Sequence, residues 1–216
     1  MNACHRTLHY AALGDSLTVG IGTILFQPNF VDWYVRFSEK ALCAPIVWSN
    51  FAHSGATIKE VVERLNHFPI RKAVERAEII TMTAGGNDLI HAAFDFFKTG
   101  NEKAIEHDLI ESQANCHELV ECIYNIKKEA KQPYIIRTIN LYNPFPEYEI
   151  VDRWVRMFNA HVESCFSTLP NSKIADAYSL FKGHEHEWLK GVHPNEAGYF
   201  QMAKAIHRLG YIPLIH

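Results

Sequence analysis

No stretch of this chain approaches the roughly eighteen consecutive apolar residues that a membrane-crossing helix requires, which argues against stable membrane insertion. Charge of one sign is also missing: 21 basic against 24 acidic residues leave a net charge of −3, and Lys and Arg form no long block. A nucleic-acid partner is therefore not expected. Cysteine is sparse. Cys4, Cys43, Cys116, Cys122 and Cys165 are odd in number and include no Cys-x-x-Cys, a pattern of free thiols rather than of a disulfide framework or a zinc site. The segment Met1–Arg6 has no signal-peptide character, so the expected location is cytoplasmic, with export by a signal-less route left open. Linkers, low-complexity tracts and internal repeats are absent as well. With 216 residues, 48% of them hydrophobic, the expectation is a single domain spanning residues 1–216.

What the chain does have is alternation. Short apolar runs at Leu8–Leu13, Ile46–Ala52, Glu78–Ala84, Tyr134–Asn140 and Lys173–Ala177 read as strands. Between and after them, Phe30–Leu42, Thr57–Asn66, Asn101–Lys131, Tyr148–Leu169 and Asn195–Leu209 carry helical spacing, as in Leu119/Cys122/Ile123/Ile126. Thr57 with Glu60 has the form of a capping box, so a helix should begin just after Gly55-Ala56. Five β-α repeats with short links predict an α/β domain, a five-stranded parallel sheet with helices on both faces. Ligands of such sheets collect beyond the carboxyl ends of the strands.

Three chemically useful residues lie just past different strand ends. Ser16 follows the first strand in Gly14-Asp15-Ser16-Leu17, Gly55 follows the second, and Asn87 follows the third in Gly85-Gly86-Asn87-Asp88. His193, in Gly191-Val192-His193-Pro194-Asn195, is the candidate base, and Asn195 a plausible cap for the last helix. A serine hydroxyl attacks only with a base in reach and with donors for the oxyanion. The Ser16 N–H, the Gly55 N–H and the Asn87 amide are the candidate donors. Each residue also has an ordinary explanation: helix cap for Ser16, turn for Gly55, loop residue for Asn87, satisfied histidine for His193. Their order and their shared placement favour the chemical one.

The chain resembles the SGNH hydrolases, also called GDSL esterases and lipases, whose sequence blocks supply Ser, Gly, Asn and His. The likeness rests on Gly14-Asp15-Ser16-Leu17-Thr18, Gly55, Gly85-Gly86-Asn87-Asp88 and His193-Pro194-Asn195, and runs from Tyr10 to about Met202. It extends to the loop Leu141-Tyr142-Asn143-Pro144-Phe145-Pro146. The resemblance implies a flavodoxin-like three-layer α/β/α fold and ester or thioester hydrolysis without metal or other cofactor. It also implies Ser16 as nucleophile, His193 as base, and Ser16, Gly55 and Asn87 as the oxyanion hole.

The pattern departs from that family at one position. Three residues before the histidine, where the family usually has an aspartate, stands Lys190. A cation there disfavours the imidazolium that forms as Ser16 yields its proton. Three arrangements remain open: a backbone carbonyl from Glu187–Gly191 holding His193, a carboxylate from Glu187 or Glu185, or loss of turnover. Replacing Lys190 with Asp should raise the hydrolytic rate in the first case.

The remaining features are less pointed. His184-Glu185-His186-Glu187 has the look of a metal clip but lacks further ligands and reads as a solvated loop. Phe94, Phe96, Phe97, Tyr142 and Phe145 are candidates for the wall of an acyl groove. Phe26, Phe30, Trp33 and Tyr34, close after Ser16, are candidates for shaping the pocket or a cap. The expected function is a serine esterase or lipase acting on a small-molecule ester or lipid, with short-to-medium acyl chains and lysophospholipids as the leading substrates. The alternatives are a carbohydrate or peptidoglycan O-acetyl esterase and a binding protein without turnover on the same fold. Oligomeric state is not legible.

Overall fold

The computed structural model describes residues 6–24 and 26–215, with backbone alone at 102–104 and 106. Five parallel strands, β1 (Leu8–Leu13), β2 (Ile46–Asn50), β3 (Ile79–Met82), β4 (Ile135–Ile139) and β5 (Ser172–Ala175), form one sheet in the order β2-β1-β3-β4-β5. The helices are α1 (Ser16–Val19), α2 (Phe30–Leu42), α3 (Ile58–Leu65), α4 (Phe68–Arg76), α5 (Gly86–Thr99), α6 (Glu102–Lys127), α7 (Glu149–Phe166), α8 (Ala177–Phe181), α9 (Glu185–Trp188) and α10 (Glu196–Arg208). A two-stranded antiparallel ribbon, β6 (Leu189–Lys190) with β7 (His193–Pro194), precedes α10.

Successive side chains of a strand point to opposite faces, and the cores divide accordingly. Ala11, Leu13, Ile80, Met82 and Ile136 face a core completed by α3 to α7, whereas Tyr10, Ala12, Ile79, Ile135 and Ile139 face one built from α2, α8 and α10. Each face is covered by helices, hence the largely apolar runs of β1 and β3. This is the parallel sheet with helices on both faces expected from the alternation, in the three layers that the family resemblance implied.

Helix starts follow the cap chemistry. Thr57 and Glu60 make the expected capping box, Asn29 and Asp32 make a second, and Asn195 caps α10 by accepting from the Gly198 N–H. Differences from expectation lie at the ends of elements. The second to fourth strands stop before Ala52, Ala84 and Asn140, while β5 starts earlier and ends earlier than Lys173–Ala177. α4, α5, the short α1, α8 and α9, and the ribbon were not foreseen. Phe30 and Tyr34 are fully buried in the α2-side core and do not line the pocket described below, and Phe26 is 95% exposed. Cys43, Cys116, Cys122 and Cys165 are free thiols, as expected, and Cys4 lies outside the described residues.

Candidate active site

β1 runs out at Leu13, and the chain turns at Gly14 with φ near 134°. A Cβ at that position would collide with the Thr83 backbone, so glycine is needed for β1 and the segment after β3 to close up. Asp15 then caps α1, accepting the Leu17 N–H at 3.0 Å and the Thr83 hydroxyl at 2.7 Å. The capping role open to Ser16 therefore belongs to its neighbour. Ser16 is the first residue of α1, and its Oγ lies 2.9 Å from His193 Nε2. With the ring proton on Nδ1, the hydroxyl donates to Nε2, the geometry a general base requires.

His193 sits on β7, paired across the ribbon with Lys190, and Leu189 pairs with Pro194. Residues directly opposite in an antiparallel pair share a face, so position 190 lies alongside the imidazole. In this chain that neighbour is an exposed lysine. Glu187 does not substitute: its carboxylate meets His184 Nδ1 at 3.2 Å, and the same ring stacks on Trp188. Among the described residues no carboxylate hydrogen-bonds the His193 ring. Burial lowers the His193 pKa from its ordinary value, and the charge of Asp15 opposes the shift. A lowered pKa keeps the ring neutral and basic at neutral pH. Burial raises the Asp15 carboxyl pKa, while its bonds to Thr83 and Leu17 pull the other way.

Asn87 occupies the first turn of α5 and not a loop. Gly85 allows that, because a Cβ there would strike the Phe158 ring. The Asn87 amide donates to the Ala56 carbonyl at 2.9 Å, and Asp88 accepts the Ile58 N–H at 3.0 Å. The start of α5 thus grips the loop that carries Gly55. Gly55 has φ near 87° and open space where its side chain would be, and it is not part of the cavity wall.

Ser16, Asn87 and His193 border a cavity of about 190 Å³ with mostly apolar walls. Leu89, Ile90, Ala93 and Phe97 of α5 form one side, and Val151, Trp154 and Val155 of α7 another. Leu141, Tyr142, Pro144 and Phe145 close it from the loop after β4. Of the aromatic residues expected here, Phe97, Tyr142 and Phe145 take part. Phe94 does not: it is 69% exposed and outside the lining, and Phe96 packs on Trp154 with ring centroids 5.1 Å apart. The α7 residues were missed from sequence. Leu89, Ile90 and Ala93 were missed too, although their helical spacing with Phe97 was there to be read.

Outside this cavity, His107, Asp108 and Glu111 of α6 are the described His/Cys/Asp/Glu group whose ligand atoms lie within 4.8 Å of one another. His184 and His186 are not part of it. Among the described residues no helix is long and apolar enough to cross a membrane.

A family model described as the GDSL-like Lipase/Acylhydrolase family matches residues 12–200. The spore germination lipase LipC of Bacillus licheniformis is 39% identical over 211 residues, covering 95% of this chain and 97% of that protein. The crystal structure of the lipase Lip_vut3 from goat rumen metagenome superposes with a TM-score of 0.91 at 39% identity, covering 96% of this chain and 100% of that one. Axe2-W215I, an acetyl xylan esterase from Geobacillus stearothermophilus, shares the fold at 18% identity and a TM-score of 0.64, covering 93% of each chain.

Proposed function

As the chain belongs to the GDSL-like lipase/acylhydrolase family, we propose that it is a serine esterase cleaving short-to-medium acyl esters, lysophospholipids among them, through an acyl-enzyme on Ser16. The observation that carries this reading is the 2.9 Å approach of Ser16 Oγ to His193 Nε2 at the border of an apolar cavity. Ser16 attacks the ester carbonyl as His193 takes the hydroxyl proton. The Ser16 N–H, the Gly55 N–H and the Asn87 amide receive the oxyanion. His193 returns the proton to the leaving alcohol, and water then clears the acyl group by the same steps in reverse. No step calls for a cofactor.

The acyl chain lies between α5 and α7. The stripe from Asn87 to Phe97 runs about 15 Å along α5 at the helical rise per residue. Its walls offer an acyl chain burial and a sugar few hydrogen bonds, which favours lipid-type esters over acetylated carbohydrate.

The test is a panel of p-nitrophenyl esters of increasing chain length, with labelling by a fluorophosphonate. Wild-type protein should be labelled and should prefer chains longer than acetyl, and Ser16→Ala should lose label and about 10⁴- to 10⁶-fold of kcat. A wild-type chain that is neither labelled nor active would be a binding protein on this fold. Activity confined to acetyl esters, with release of acetate from acetylated sugars, would support the carbohydrate esterase instead.

A further inference from the structure

Three residues before the base, an orienting carboxylate is missing, and the structure supplies another hold. Tyr142 Oη donates to the Val192 carbonyl at 2.7 Å. Val192 immediately precedes His193, so this bond fixes the peptide plane from which the imidazole departs. The phenol is itself well held: Tyr142 is 8% exposed and stacks on Phe181, with centroids 4.5 Å apart. Phe181, fully buried, stands edge-on to Trp188 at the foot of the ribbon. Burial raises the phenol pKa well above its ordinary value, so the hydroxyl stays a donor. On the far side of the ribbon the Asn195 amide donates to the Glu187 carbonyl at 2.7 Å, and the Asn195 N–H to the Trp188 carbonyl at 2.9 Å. The Tyr142 bond is the one of these that acts on the turn carrying His193.

We propose that Tyr142 is a positioning residue for the general base, anchoring the Val192–His193 peptide from the cavity wall in place of a carboxylate at position 190. The proposal rests on the Ser16–His193 hydrolase reading. It assigns Tyr142 two duties: its ring walls the acyl site, and its hydroxyl aims the base. Because Lys190 and His193 share a face of the ribbon, a carboxylate installed at 190 should reach the imidazole directly and make the tyrosine anchor less necessary.

The experiment is a double-mutant cycle with Tyr142→Phe and Lys190→Asp, read as kcat and KM on p-nitrophenyl butyrate with unfolding midpoints alongside. Tyr142→Phe keeps the ring, its stack and the cavity wall while deleting the bond. Expected is a fall in kcat of about 10- to 100-fold with KM unchanged, since small misplacement of a reacting group carries costs of that order. In the Lys190→Asp background the same substitution should cost several-fold less. Unchanged kcat, a rise in KM alone, or an equal loss in both backgrounds would overturn the assignment. Each of these is read against an active, fluorophosphonate-labelled wild type; a wild type that is inactive and unlabelled defeats the hydrolase reading itself.

Discussion

Asp88 shows how one residue beside the site sets a condition on stability. Burial pushes its carboxyl from an ordinary 3.8 up to about 6, against the opposing pull of the Ile58 N–H. Between those values the folded protein keeps a proton that the unfolded chain has released. The unfolded state then binds fewer protons, so stability falls as pH rises through that window and is level above it. Full conversion of the shift would be about 3 kcal/mol; partial solvent exposure reduces the expectation to about 1–2 kcal/mol. Asp88→Asn keeps an acceptor for the Ile58 N–H but cannot ionise. It should therefore be more stable than wild type by about that amount near pH 7, and equal to it near pH 4. Urea titrations at both values check this, and equal midpoints at neutral pH would count against it. On the proposed reading of Asn87 as an oxyanion donor, Asn87→Ala removes that donor as well as the hold on the Ala56 carbonyl, with an expected loss in kcat of about 10²- to 10³-fold. Circular dichroism would show the fold unchanged.

At the level of elements, α5 and α7 are two sides of the Ser16 cavity, proposed above to take the acyl chain, and Ala93 is the small residue midway along the α5 stripe. Ala93→Phe should obstruct the groove beyond that point. Activity on long acyl esters should drop about tenfold or more, a difference worth about 1–3 kcal/mol, while acetate hydrolysis is retained. The ester panel reads this directly; an equal loss on acetate would mean disturbed catalytic groups, not a shortened site. These same elements show where the sequence was readable. β1 was delimited correctly because its apolar run ends on Gly14, a turn residue with a steric reason to be there. The runs of β2 and β3 were drawn too long because Phe51, Ala52 and Ala84 continue the apolar pattern past the last paired residues. Hydrophobicity reports burial and not pairing. α5 was overlooked because Gly85-Gly86-Asn87-Asp88 has turn chemistry, although it is the start of a helix. Four-residue α9 and the two-residue strands of the ribbon are too short to have a period at all. Ser16, Asn87 and His193 were recognisable from local motifs. The Tyr142–Val192 bond was not, since its partners are 50 positions apart and neither is unusual where it stands.

Across the whole molecule, long-range ties join segments from both ends of the chain. Arg137, fully buried in β4, donates to the Ile136 carbonyl at 2.8 Å, the Asn171 carbonyl at 3.0 Å and the Gly210 carbonyl at 2.6 Å. It thereby pins the approach to β5 and the tail beyond α10 to the sheet. Arg137→Met fills similar space but removes all three bonds, with the Asn171 carbonyl keeping only the Ile136 N–H, so a loss of about 2–4 kcal/mol is expected in urea unfolding. Turnover per folded molecule should hold, because Arg137 does not line the Ser16 cavity. A variant as stable as wild type would show that these carbonyls find water instead. The pair at the heart of the site is another tie of this kind: Ser16 and His193 are 177 positions apart. A ribosome emits Ser16 177 residues before His193. Until His193 is made, Ser16 of a nascent chain has no imidazole beside it, and the hydrogen bond of the finished site cannot form.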